Sequence, residues 1–136
     1  ENWPVFQRAY LTAKALGVAK QAHAAMFQAI WGTNGELAVV DPRTGRVRSP
    51  LPSIEDVARF YERVTKVPAA KFVSTAKSFA VETDVKRSDA TIKAYLADST
   101  PTIVVNGKYR LEPRSAGGAD QTIALTLWLV QQELRK

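Results

Sequence analysis

Apolar residues return every three or four positions over most of this chain. Val5 and Phe6, Ala9 and Tyr10, Ala13 and Leu16 share one face behind Pro4, a residue suited to a first helical turn, and Gly17 follows where a left-handed closing residue is needed. The spacing predicts one helix here and a second through Ala22, Ala25, Met26, Ala29 and Ile30, with Phe27 and Trp31 widening its face until Gly32-Thr33-Asn34-Gly35 breaks it. So short a connection predicts antiparallel neighbours. Between Gly32 and Pro52, three prolines and three glycines exclude a long helix, leaving a loop with a weak hairpin between Leu37–Val40 and the residues around Val47. Ser53 with Asp56 three positions on has the form of a capping pair, opening a helix through Val57, Phe60, Tyr61 and Val64. A fourth helix is expected from Pro68 with Phe72, Ala76 and Phe79 on one stripe, and a fifth over 84–98 with Val85, Ala90, Ile92 and Leu96 inward.

The period changes at Ser99-Thr100-Pro101-Thr102. Thr102 to Val105 are strand formers, Asn106-Gly107 is the favoured pair for a two-residue type I′ turn, and Lys108 to Leu111 alternate polar and apolar. Three consecutive apolar residues predict a first strand buried on both sides, yet no further strand is evident, and a hairpin by itself is marginally stable. Pro101 suits a strand's first position and ends the preceding helix; a cis Thr100–Pro101 bond is the alternative. After a turn-rich stretch at 112–118 comes the most apolar helix. Ile123, Leu127, Val130 and Leu134 form one face, and Leu125, Trp128 and Leu129 extend it nearly all round. Such a helix is expected to pack on a sheet and on other helices together.

Composition narrows the classes. At 136 residues and 46% hydrophobic content the chain fits one domain with a real core and needs no metal or disulfide staple. No apolar run is long enough to span a bilayer, and the first residues lack the basic start and apolar stretch of a secretory signal. They also lack an initiator Met, so we expect a trimmed product or a piece of something longer. Nineteen Lys and Arg against thirteen Asp and Glu give +6, but the basic residues are dispersed as on solvated helix faces, which argues against a nucleic-acid partner.

The chain has no cysteine, hence no disulfide, thiolate metal site or thiol nucleophile. His23, the one histidine, has no companion ligand and reads as an ordinary helix residue; no metal or cofactor is expected. Glu82, Asp84 and Asp89 read as a solvated helix start rather than an acid–base pair. The aromatics from Phe6 to Phe79 recur at helical spacing and read as core rather than a platform for bases.

Thr100 to Leu111 resembles the loop, strand and turn that follow the helical insertion in DsbA-like thiol-disulfide oxidoreductases of the thioredoxin superfamily. Residues 8–37, with the Leu16-Gly17 break and the spacing of His23 and Phe27, resemble the start of that insertion, and 77–109 its last helices running into the proline loop. The resemblance implies a mainly α chain with a short β-hairpin: 1–98 a helical insertion domain, 99–136 the C-terminal strands and last helix of a thioredoxin-like fold. The first three strands and the Cys-x-x-Cys helix would then lie outside it. By the same resemblance Pro101 is cis and Thr100 and Pro101 contact an extended substrate peptide, with no catalytic residue in the chain. The intact protein would be periplasmic and would oxidise cysteine-containing polypeptides, with a membrane redox partner. The chain alone would be redox-inactive and prone to self-association through its exposed final helix and sheet edge. The alternative from the residues is a non-enzymatic peptide- or partner-binding helical module.

Overall fold

The computed structural model describes residues 3–41 and 43–135. They form α1 (Trp3–Ala15), α2 (Ala19–Trp31), α3 (Ile54–Thr65), α4 (Ala69–Ala76), α5 (Phe79–Ala94), β1 (Ile103–Val105), β2 (Tyr109–Leu111), α6 (Pro113–Ala116) and α7 (Ala119–Leu134). The chain divides into two compact units, residues 1–86 and 87–136.

The first unit is a helical cluster whose core is assembled from small and aromatic residues. Ala9 and Ala13 of α1 and Ala22 and Ala29 of α2 are buried, and their short side chains leave room for Phe60, Tyr61 and Phe72. The Tyr61 ring stacks on Phe72 at 4.5 Å between centroids. Gly17 makes the turn between α1 and α2 at a positive φ of 74°. After α2 the chain folds back so closely that a Cβ on Gly35 would sit 2.5 Å from the Ala29 carbonyl oxygen, which reserves that position for glycine. The loop that follows contains the expected weak pairing, a single antiparallel bridge between Val40 and Val47, and buries Leu37 and Ala38. Asp41 shapes its tip by accepting hydrogen bonds from the amides of Arg43 (2.8 Å) and Thr44 (3.1 Å), and these hold its carboxyl below the usual range.

The capping pair is realised in full. Asp56 N–H donates to Ser53 Oγ at 3.1 Å, and the Asp56 carboxylate accepts from Ser53 N–H at 2.8 Å and from its hydroxyl at 2.7 Å. Further along the chain the helices depart from their spacing at two places. The fourth helix stops at Ala76 rather than continuing to Phe79, because Ser78 interrupts it and its hydroxyl accepts the Val81 amide (3.3 Å) as a cap for α5. Phe79 therefore opens the next helix and is 86% exposed. Within α5 only Val81 is buried, while Ile92 and Leu96 are exposed, Leu96 at a left-handed φ of 51° beyond the helix end.

In the second unit β1 and β2 pair antiparallel with Ile103 opposite Leu111 and Val105 opposite Tyr109. Asn106 (φ 49°) and Gly107 (φ 68°) are both left-handed, as a type I′ turn requires. Val105 and Leu111 bury one face against Leu129 of α7. The expectation of a first strand buried on both sides fails at Ile103 and Val104, which are half-buried, since the sheet has two strands among the described residues. The stretch read as a turn-rich loop holds the single-turn helix α6, started by Pro113 and closed by Gly117 at φ 89°. On α7 only Thr122 and Leu129 are buried; Ile123, Leu127, Trp128 and Leu134 stand 54–81% exposed.

Candidate functional site

The loop from Leu96 to Thr102 is held by its neighbours in the second unit. The Ala97 amide donates to Ile92 O at 3.0 Å, closing α5, and the Arg110 guanidinium of β2 donates to the carbonyls of Tyr95 and Leu96. These are carbonyls that a helix end leaves unpaired, so a cation fits there electrostatically as well. Thr102 Oγ1 donates to Ser99 O at 2.7 Å and folds the loop onto the start of β1. The Thr100–Pro101 peptide bond is cis, as is Ser49–Pro50, and both Thr100 and Pro101 are exposed.

The far end of the hairpin is fastened by a carboxylate that sequence reading missed. Glu133 of α7, its side chain 7% exposed, accepts from Asn106 Nδ2 at 2.6 Å and from Lys108 Nζ at 2.7 Å. The turn is thereby fastened to α7 through Glu133, and the second strand to the chain just beyond α5 through Arg110. Nothing in the spacing announces Glu133, which stands 25 residues beyond Lys108.

The other residues considered from sequence lie apart from this loop in role. His23 is exposed and its ring lies 4.9 Å from Phe27. Glu82 pairs with Arg8 at 2.6 Å, and this hydrogen bond, with the guanidinium charge, holds the carboxyl below the usual glutamate range. Arg8 also donates to Ala76 O at 3.0 Å, so the pair ties α1 to the α4–α5 junction. Of the aromatics read as core, Phe6, Phe60, Tyr61 and Phe72 are buried, whereas Tyr10, Phe27, Trp31 and Phe79 are exposed. Among the described residues no group of three or more His, Asp or Glu could hold a metal ion, and no helix is long and apolar enough to cross a membrane.

No family model matches the chain. The thiol:disulfide interchange protein DsbA of Pseudomonas aeruginosa is 33% identical over 131 residues, covering 96% of this chain and 55% of that protein. The protein of the same name from Azotobacter vinelandii is 29% identical over the same share of the chain and 54% of its own length. The crystal structure of Pseudomonas aeruginosa DsbA superposes with a TM-score of 0.80 at 32% identity, covering 99% of this chain and 62% of that one. DsbA from Xylella fastidiosa gives 0.81 at 32% identity, covering 98% and 64%. The chain thus spans about half the length of the curated relatives it matches.

A helical unit joined to a hairpin that packs on a final helix, aligned over nearly the whole chain, defines a thioredoxin-superfamily protein. Within that superfamily the chain belongs to the DsbA-like thiol-disulfide oxidoreductases.

Proposed function

We propose that the chain is the part of a DsbA-like thiol:disulfide interchange protein that follows the third thioredoxin strand. Residues 1–98 would form the inserted helical domain, and 99–136 the proline loop, hairpin and last helix. The observation that carries this reading is identity of 33% over 96% of a cysteine-free chain that spans 55% of its relative.

In the intact protein a client thiolate would attack one sulfur of a Cys-x-x-Cys disulfide, forming a mixed disulfide and releasing the second cysteine as a thiolate. A second client thiolate would then attack the client sulfur of that bond, leaving the client oxidised and the cysteine pair reduced. The part played by this chain is orientation. The exposed backbone at Thr100 can pair with an extended client segment as a short strand addition, and its hydroxyl can donate to a nearby thiolate and stabilise the charged form. The setting for this chemistry is the periplasm, with cysteine-containing polypeptides as clients and a membrane partner that reoxidises the cysteine pair.

The test is made on the protein encoded by the whole gene. A Cys-x-x-Cys following a predicted strand is expected ahead of residue 1, and Thr100→Val should raise the pKa of its reactive thiolate, followed by ultraviolet absorbance. An unmoved titration would remove the role given to Thr100. The absence of cysteine favours a second reading, a non-enzymatic binding module, which a gene without that motif would support.

A further inference from the structure

Between the 36–52 loop and α3 the first unit carries a groove of about 380 Å³, lined by Arg48, Arg59 and Arg63, by the carboxylates Glu36 and Asp56, and by the buried Phe60. Two of the arginines meet at Glu36. Arg48 Nη1 donates to its carbonyl oxygen at 3.2 Å, and the Arg63 guanidinium pairs with its carboxylate. Arg59 stands one turn before Arg63 on α3 and pairs with Asp56, so both carboxylates of the wall are engaged within it. Arg48 is the odd charge. Its backbone is fixed by the bond from its amide to Val39 O (2.8 Å), it is half-buried, and its Nε and Nη2, the edge that matches a carboxylate, have no partner among the described residues. Asp41 feels the Arg48 charge, but its carboxylate accepts from the amides of Arg43 and Thr44 and makes no ion pair with it. Three guanidinium groups against two carboxylates leave the lining one positive charge in excess.

We propose that this groove binds a small organic monocarboxylate, its carboxylate on the free edge of Arg48 and its apolar body on Leu37, Leu51 and Phe60. Three features select that occupant. One excess positive charge is balanced by a single negative one, whereas a phosphate monoester carries nearly two. The volume lies at the lower end of the roughly 300–1,000 Å³ of small-molecule sites, which is too large for a bare ion and too small for a helix. A planar guanidinium edge takes a planar carboxylate through two parallel hydrogen bonds, and the Arg63 guanidinium, held over the Phe60 ring at 5.5 Å, adds a second fixed charge. The inference does not rest on disulfide chemistry, so its failure and that of the redox reading are separable.

The test uses the protein encoded by the whole gene, so a groove covered by the remainder of the molecule would give no binding. The probes are benzoate, the neutral benzamide of the same shape, and inorganic phosphate as a competitor, followed by ligand-detected saturation-transfer NMR near neutral pH. Benzoate should bind saturably and more weakly as salt rises, and benzamide should bind at least about tenfold more weakly. Phosphate should displace benzoate only at concentrations above that of benzoate itself. Arg48→Gln should weaken benzoate at least about tenfold, while Arg46→Gln, in the same loop but outside the lining, should leave it unchanged. Arg48→Lys keeps the charge and loses the fork, so a partial loss is expected, and this variant carries the test should Arg48→Gln fail to fold. No saturable binding, equal binding of benzamide, tighter binding of phosphate, or an equal loss in Arg46→Gln would overturn the proposal. Unchanged affinity in Arg48→Gln, or in Arg48→Lys where that variant stands in, would overturn the role of Arg48.

Discussion

Phe72 is the residue whose removal should cost the first unit most. Its side chain is 0% exposed, it stacks on Tyr61 at 4.5 Å and 21°, and α4 has only Ala76 as a second buried residue. An eight-residue helix is not stable by itself, so α4 exists because Phe72 anchors it. Phe72→Ala removes the transfer free energy of the ring and leaves a cavity, together about 3–5 kcal/mol, of which ring pairing supplies about 0.5–1.5 kcal/mol. A unit of this size holds roughly 4–13 kcal/mol in all, so the loss is about a quarter of its stability or more. The milder Phe72→Leu should cost about 1–2 kcal/mol and keeps the measurement within range. Urea unfolding followed by tryptophan fluorescence, in a Trp128→Phe background, confines the signal to Trp3 and Trp31 in α1 and α2. A loss below about 1 kcal/mol for Phe72→Ala would show that the α3–α4 contact does not organise this core.

Three further outcomes follow from the contacts. Ser53→Ala removes the acceptor for the Asp56 amide and should cost about 1 kcal/mol in the same urea experiment, with no effect meaning that α3 is held by packing alone. The hydrogen bond from the Ser53 hydroxyl, then its backbone amide, holds Asp56 below the usual aspartate range, and Arg8 does the same for Glu82. Because both folded values are depressed, their contribution is full above about pH 4.5 and is lost as pH falls through the folded values. Arg8→Gln should let Glu82 titrate higher and flatten the acid limb of a stability–pH curve; an unaltered limb would deny the coupling. Glu133→Gln replaces a carboxylate held by Asn106 and Lys108 and should cost about 1–3 kcal/mol, seen as faster amide exchange at Val105 and Lys108. Exchange confined to the chain ends would show the turn to be self-sufficient.

Features governed by neighbours in sequence were legible without coordinates. The Ser53–Asp56 cap, the Gly17 turn and the Asn106-Gly107 hairpin each depend on a few residues whose local conformational preferences agree, and each is present. Periodicity predicted helices but misjudged their faces. Phe27, Trp31, Ile92 and Leu96 carry helical spacing and are nonetheless exposed, since spacing says which residues share a face and not what that face meets. The α4–α5 break was missed because Ser78 is an ordinary helix residue until its hydroxyl turns to cap the next turn.

The site divides along the same line. The resemblance to a family named Thr100 and Pro101 as the proposed contact loop, and the sequence alone established that this chain holds no thiol, since a residue type that is absent can do no chemistry. Only the tertiary structure showed Arg110 on the carbonyls of Tyr95 and Leu96, Glu133 on Asn106 and Lys108, and Arg48 and Arg63 meeting at Glu36. Those contacts join residues 12 to 27 positions apart, and pattern along a chain carries no information about which distant side chains folding brings within hydrogen-bond reach.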